Sequence, residues 1–138
     1  MRNISLKMCL FVFVFIVISS HVQAQSGLTP ESDSVYTEVD EMPTFPKGEE
    51  AFYKYIAKTI KYPSEARRMG VAGIVIVSFI IEKDGTVTNV MLEQSVSKET
   101  DQESMRVISQ SPPWNPGQLN GVPVRVRIKR PIKFKLAS

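Results

Sequence analysis

One histidine, one cysteine and fourteen carboxylates are the residues with which this 138-residue chain could do acid–base, nucleophilic or metal chemistry. His21 and Cys9 both fall near the N-terminus, where Arg2 and Lys7 flank the start of an apolar run, "MCLFVFVFIVI" (8–18), and the small, polar "SSHVQAQ" follows it. That layout is a secretory signal peptide over residues 1–24, with Val22 and Ala24 placed for cleavage before Gln25. The run falls short of the roughly 20 apolar residues of a spanning helix; left uncleaved, it would be an anchor. Cys9 precedes most of the run, the wrong place for a lipoprotein cysteine. Cleavage leaves about 114 residues with neither imidazole nor thiol. The commonest general base, the commonest zinc ligands and the thiol nucleophile are then all missing. No enzyme, metal site or cofactor is expected, and with no disulfide the core must hold by burial alone.

The carboxylates do not converge either. Glu82 and Asp84 flank a turn, with nothing in reach to complete a ligand set. Glu99, Asp101 and Glu103 gather at a helix start, where the dipole stabilises acids in any case. "GVAG" at 70–73 lacks the length and the lysine of a phosphate loop. Charge is distributed more tellingly. Residues 25–50 carry seven acids against Lys47 alone, whereas the chain from 51 onward carries fourteen bases and seven acids. A basic domain can indicate nucleic acid, but an exported protein rarely meets any. An acidic protein partner or an anionic surface fits better.

That charge concentrates in "SPPWNPGQLNGVPVRVRIKRPIKFKL" (111–136), which holds six Lys/Arg and no acid. Val122, Val124, Val126, Ile128, Ile132, Phe134 and Leu136 share one parity, and Arg125, Arg127, Lys129, Lys133 and Lys135 share the other: a half-buried strand with a basic outer face. Pro131 argues for a sheet edge. Basic side chains on an edge guard against unwanted pairing, and a plain solvated face is the simplest reading. An edge can nevertheless accept an extended peptide, main-chain hydrogen bonds giving affinity and side chains selectivity. An edge of that kind can also swap between protomers, giving a homodimer. Taken alone, Tyr62-Pro63 resets the chain between helices and Trp114 is a core or hinge residue fixed by Pro112, Pro113 and Pro116.

The elements that position this strand follow from periodicity. Residues 25–48 are an acidic, Pro-containing linker in which "VYTEVDEM" reads as a short ordered piece. Phe52, Ile56 and Ile60, with Tyr55 and Thr59, fall at helical spacing, with acids first and lysines last. Pro63 opens a second short helix that Gly70 stops. Two β-rich runs then flank Asp84-Gly85, a hairpin signal. The first run is apolar on both faces and so belongs in the centre of a sheet. The second changes parity, which predicts a bulge near Thr88 or Asn89. A helix over 99–109, with Met105 and Ile108 inward and Val107 at the margin, precedes the basic strand. The order α-β-β-α-β predicts an α+β domain over 49–138, a small three-stranded antiparallel sheet against two helices.

In order, Tyr62-Pro63, Ala66, Gly70, Gly73, Val75, Val77, Phe79, Asp84-Gly85, Val87, Trp114, Pro116-Gly117, Gly121, Pro123-Val124 and Pro131-Ile132-Phe134-Leu136 resemble the C-terminal domain of the TonB energy-transducer family, Bacteroidetes type. Thr100 and Ser104 depart from the Leu and Ala usual there, which should weaken packing. The resemblance implies a periplasmic module that binds TonB-dependent outer-membrane receptors in energy-dependent nutrient uptake. A short receptor segment, the TonB box, would pair with the last strand over 122–130. The site residues would be Val124, Arg125, Val126, Arg127, Ile128 and Lys129, with Tyr62 and Pro63 close by. If anchored, the chain would draw energy from an inner-membrane complex of the ExbB/ExbD kind. The alternative is a freestanding soluble periplasmic adaptor not coupled to the proton motive force. The linker, at most about 80 Å long when extended, is short for inner-membrane anchoring combined with outer-membrane docking.

Overall fold

The computed structural model describes residues 33–137. The signal segment 1–24 and the linker positions 25–32 lie outside them. Helix α1 spans Glu49–Thr59, burying Phe52 and Ile56, with Glu49 and Glu50 in its first turn and Lys58 in its last. It ends where Ile60 turns extended. Pro63, which lacks an amide hydrogen, sits at the N-cap of α2, Ser64–Arg68. Gly70, at φ 69°, stops α2 in the left-handed region.

Strand β2, Gly73–Ile81, pairs with β3, Val87–Gln94, across the Asp84-Gly85 turn. Asp84 Oδ1 accepts from the Thr86 amide at 3.0 Å and its hydroxyl at 2.7 Å, and Gly85 takes φ 87°. The expected bulge is present: the register shifts between Ser78 and Ile80, opposite Asn89 at φ 47°. Helix α3, Lys98–Ser109, begins with a capping box between Ser97 and Thr100. Thr100 and Ser104 are fully buried; Thr100 Oγ1 accepts the Ser97 amide at 3.0 Å, and Ser104 Oγ donates to the Thr100 carbonyl at 2.8 Å. The two departures from the family pattern therefore carry a cap and a backbone hydrogen bond. Val107, expected at the margin, is fully buried beside Ile108. Strands β4, Gly117–Leu119, and β5, Val122–Phe134, form a final hairpin.

β2 lies between β5 and β3, all antiparallel, which explains its two apolar faces. These three strands are the expected sheet, but β4 and a further strand, both paired with β5, extend it to five. Phe52 and Ile56 of α1, Val107 and Ile108 of α3, Trp114, and the inward residues of β2 and β5 form one core. Each such side chain, fully buried, contributes roughly 1.5–3 kcal/mol.

The lead-in is not a linker over its described part. Val35–Tyr36 forms a further strand, β1, pairing in parallel with Arg125 and Val126 of β5. Glu41 and Gln118 exchange amide–carbonyl bonds of 3.1 and 2.9 Å, as do Thr44 and Asn115. Phe45 is in the core, 5.3 Å from Trp114 between ring centroids. The acidic segment folds back because Phe45 and Pro43 have apolar surface to bury, despite the charged residues around them.

The candidate peptide-binding edge

Pro131 fixes the phase of β5. A proline persists in a sheet only where its nitrogen faces away from the neighbouring strand. Along β5 the register with β2 runs unbroken from Gly73↔Phe134 to Ile81↔Val126. The N–H and C=O groups of the even residues therefore point to β2, and those of Arg125, Arg127 and Lys129 point to the other edge. That edge is not bare throughout, because β1 covers it at Arg125 and Val126. Among the described residues, the stretch 127–130 has no strand on this outer edge. It forms one wall of a slot of about 490 Å³ whose other wall is Thr37, Met42 and Pro43. Further along, Tyr53, Ile56 and Ala57 of α1, with Ile60 just past its end, Ile74 and 131–133, line an apolar groove of about 360 Å³.

Val124, Val126 and Ile128 point their side chains into the core and their main-chain groups toward the strands already paired with β5, so at the open edge they offer a partner neither. Arg125, Arg127 and Lys129 lie on the outer face and are tethered across the sheet. Arg125 Nε donates to Glu82 Oε2 at 2.7 Å. Its Nη1 reaches the Asp33 carbonyl at 3.0 Å. Arg127 reaches Asn89 Oδ1 and, at 3.4 Å, Ser78 Oγ. Lys129 Nζ lies 3.3 Å from Glu93 Oε2. The expected basic rail is thus partly neutralised by β2 and β3, and its side chains are held in fixed directions. Tyr62 is not among them. Its hydroxyl donates to the Val71 carbonyl, its ring packs on Phe134 with centroids 5.5 Å apart, and the Arg67 guanidinium covers it. That is eight residues beyond Val126, roughly 26 Å at the strand rise. Pro63 stays with Tyr62 as the start of α2. The structure groups 125–129 and places Tyr62-Pro63 at the far end of the same strand.

The Arg125 guanidinium holds the Glu82 carboxyl below the usual carboxylate range, with the Thr88 hydroxyl helping. A depressed folded pKa adds stability above the unfolded value of about 4.3, and this is lost as pH falls through the folded pKa. Arg106 does the same for Glu103, which also accepts the Lys61 amide at 2.6 Å. The thermal midpoint should therefore fall as pH drops below about 4.3. Glu82→Gln should cost roughly 1 kcal/mol at pH 7 and reduce that acid-limb dependence. Thermal unfolding of both proteins between pH 7 and 3 checks this, and parallel curves would contradict it.

Arg130 was assigned to neither face by the alternation. It shares the inner parity of Ile128 and Ile132; its guanidinium lies 5.7 Å from the Trp114 ring centroid, and Nε is buried without a hydrogen-bond partner. Parity alone places it there. Its aliphatic stem and the Trp114 face make that position tolerable. Met42 and Pro43 lacked any such signal, since their place in the slot depends on the fold-back. Among the described residues no cluster of His, Cys, Asp and Glu could hold a metal ion.

Residues 58–136 match the family described as Gram-negative bacterial TonB protein C-terminal. The TonB protein of Vibrio cholerae serotype O1 is 35% identical over 79 residues, which cover 55% of this chain and 31% of that protein. The match thus spans about a third of that relative's length. An NMR solution structure of the Helicobacter pylori TonB-CTD, residues 179–285, superposes with a TM-score of 0.50 at 26% identity, covering 62% of this chain and 78% of the other. A second, of residues 194–285, gives 0.48 at 22% identity, covering 62% and 90%.

Proposed function

We propose, because this chain belongs to the family of Gram-negative bacterial TonB protein C-terminal domains, that it is a periplasmic protein-binding module. It takes an extended segment of a TonB-dependent outer-membrane receptor onto the open edge of β5. The observation that carries this reading is the slot beside 127–130, where among the described residues no strand lies against the outward main-chain groups of Arg127 and Lys129, the Lys129 carbonyl accepting only from Arg130 Nη1 at 3.1 Å. Such an edge gives affinity through main-chain bonds. The basic outer face favours a partner carrying acids. The apolar groove beneath α1 lies in the path of a segment that continues past Pro131.

Arg127→Pro tests the site. The lost N–H faces the open edge and not β2, so the sheet stays paired while an added strand loses a donor and meets the ring. Binding of synthetic peptides from the N-terminal segments of the host's TonB-dependent receptors should fall by at least about 30-fold, equivalent to 2 kcal/mol. Undiminished binding by a folded variant would place the site elsewhere.

A soluble adaptor outside energy coupling is the second reading. The folding-in of 41–45 favours it, because any free spacer after residue 24 is cut to about 16 residues, roughly 55 Å when extended. Intact mass and membrane fraction of the protein from its host separate the two. A chain starting at Gln25 in the soluble periplasm supports the adaptor, and an uncleaved chain in the inner membrane supports transduction through an ExbB/ExbD-type complex.

A further inference from the structure

We propose that the lead-in is a built-in occupant of the β5 edge, and that a partner segment gains its full ladder only by displacing β1. The inference rests on the edge-binding reading above. Its starting point is how little of the edge is vacant. Arg125, Arg127 and Lys129 are the residues of that stretch whose main-chain groups face outward; β1 already occupies Arg125, and Pro131 offers no donor beyond Lys129. A segment that leaves β1 in place can pair with two of those three residues. One that expels β1 pairs with all three.

β1 is built to be expelled. It is two residues long, and Val35 at its start is exposed. Among the contacts that fasten this stretch are Arg125 Nη1 on the Asp33 carbonyl at 3.0 Å, Asp40 Oδ2 accepting the Asn120 amide at 2.8 Å, and the partly buried Tyr36 and Val39 against the core. Four residues later the attachment changes character. Glu41 and Thr44 each exchange a pair of backbone bonds with the β4 region, and Phe45 is in the core. The releasable part therefore ends between 37 and 40, and letting it go leaves the domain intact.

The occupant also specifies its competitor. β1 runs parallel to β5, and its start brings Asp33 beside Arg125 on the basic outer face, while Glu38 and Asp40 follow in the same segment. A segment that replaces it is extended, runs parallel to β5, carries acids and alternates them with apolar residues. Binding is then weakened by the fraction of molecules in which β1 is closed.

The test uses a labelled synthetic peptide of residues 33–41, Asp-Ser-Val-Tyr-Thr-Glu-Val-Asp-Glu, offered to the full-length chain and to Val35→Pro/Tyr36→Pro. The variant should bind it at least about tenfold more tightly than the wild type. A second variant, with residues 33–37 replaced by Gly and Ser, removes the occupant without proline and should behave the same; it stands in if the first does not fold. Equal affinity for wild type and a folded variant would overturn the displacement proposal and leave edge binding standing. Binding by neither would remove the edge as a site for extended segments, and the proposal with it.

Discussion

Trp114→Ala should lower the free energy of unfolding by about 3–5 kcal/mol, a large share of the 5–15 kcal/mol that holds a typical domain together. Trp114 is 3% exposed and its ring lies 5.3–5.6 Å from those of Phe45, Phe52 and Phe79. These come from the lead-in, α1 and β2, and Phe45 also packs directly on Phe52 and Tyr55 of α1. The Arg130 guanidinium closes the fourth side. Alanine leaves a cavity bounded by all four and an arginine on the inner face with no π surface beneath it. The indole Nε1–H also loses its 2.9 Å bond to Ser111 Oγ. Urea unfolding followed by circular dichroism measures the loss; a change under about 1 kcal/mol would mean that the aromatic cluster repacks without Trp114.

The second large effect is expected at the hairpin tip. Gly85 has φ +87°, and a Cβ built on it would lie 2.0 Å from the Trp114 carbonyl oxygen. The Trp114 amide donates to the Gly85 carbonyl at 2.8 Å, so the tip and the Trp114 backbone are clamped together. Gly85→Ala imposes the left-handed cost of about 1–2 kcal/mol and pushes the clamp apart, for a total of about 3 kcal/mol or more. Gly121→Ala is the control. That glycine has φ +76° but open space around it, so it should lose the conformational part alone, about 1–2 kcal/mol. Equal losses at the two sites would show that the contact with Trp114 contributes nothing. Combining Gly85→Ala with Trp114→Ala should cost less than the sum, because both loosen one junction.

The parts of the fold that were legible are those with a period or a turn signal. β2 was placed centrally because Val75, Val77, Phe79 and Ile81 face one way while Ile74, Ile76 and Ile80 face the other. Asp84-Gly85 announced the hairpin, and the broken parity of Val87, Val90 and Leu92 announced the irregularity at Asn89. What escaped had no period of its own. Two residues cannot show alternation, so "VYTEVDEM" read as a short ordered piece without revealing its partner strand or its direction. Phe45 sat alone among prolines and acids, and its core position depends on Trp114, nearly seventy residues away. Within the candidate site, the parity of β5 correctly separated Arg125, Arg127 and Lys129 from Val124, Val126 and Ile128. Parity along one strand says nothing of what lies across it, so neither the tethers to Glu82, Asn89 and Glu93 nor the remoteness of Tyr62 could be read.

The way the lead-in is fastened also fixes how it would carry a load. Tension applied through the chain upstream of Asp33 reaches the Asp33 carbonyl first, then the Val35 pair, then the Tyr36 pair. Contacts met one after another peel at low force, because each bears the whole pull in turn. Beyond Asp40 the pull meets paired backbone bonds at Glu41 and Thr44 and then Phe45 in the core, where several contacts must yield together. The segment is a tether with a weak end and a strong end. A modest pull would strip β1 from β5 and stop at Phe45, leaving the domain folded and still attached, with the Arg125 end of its edge uncovered.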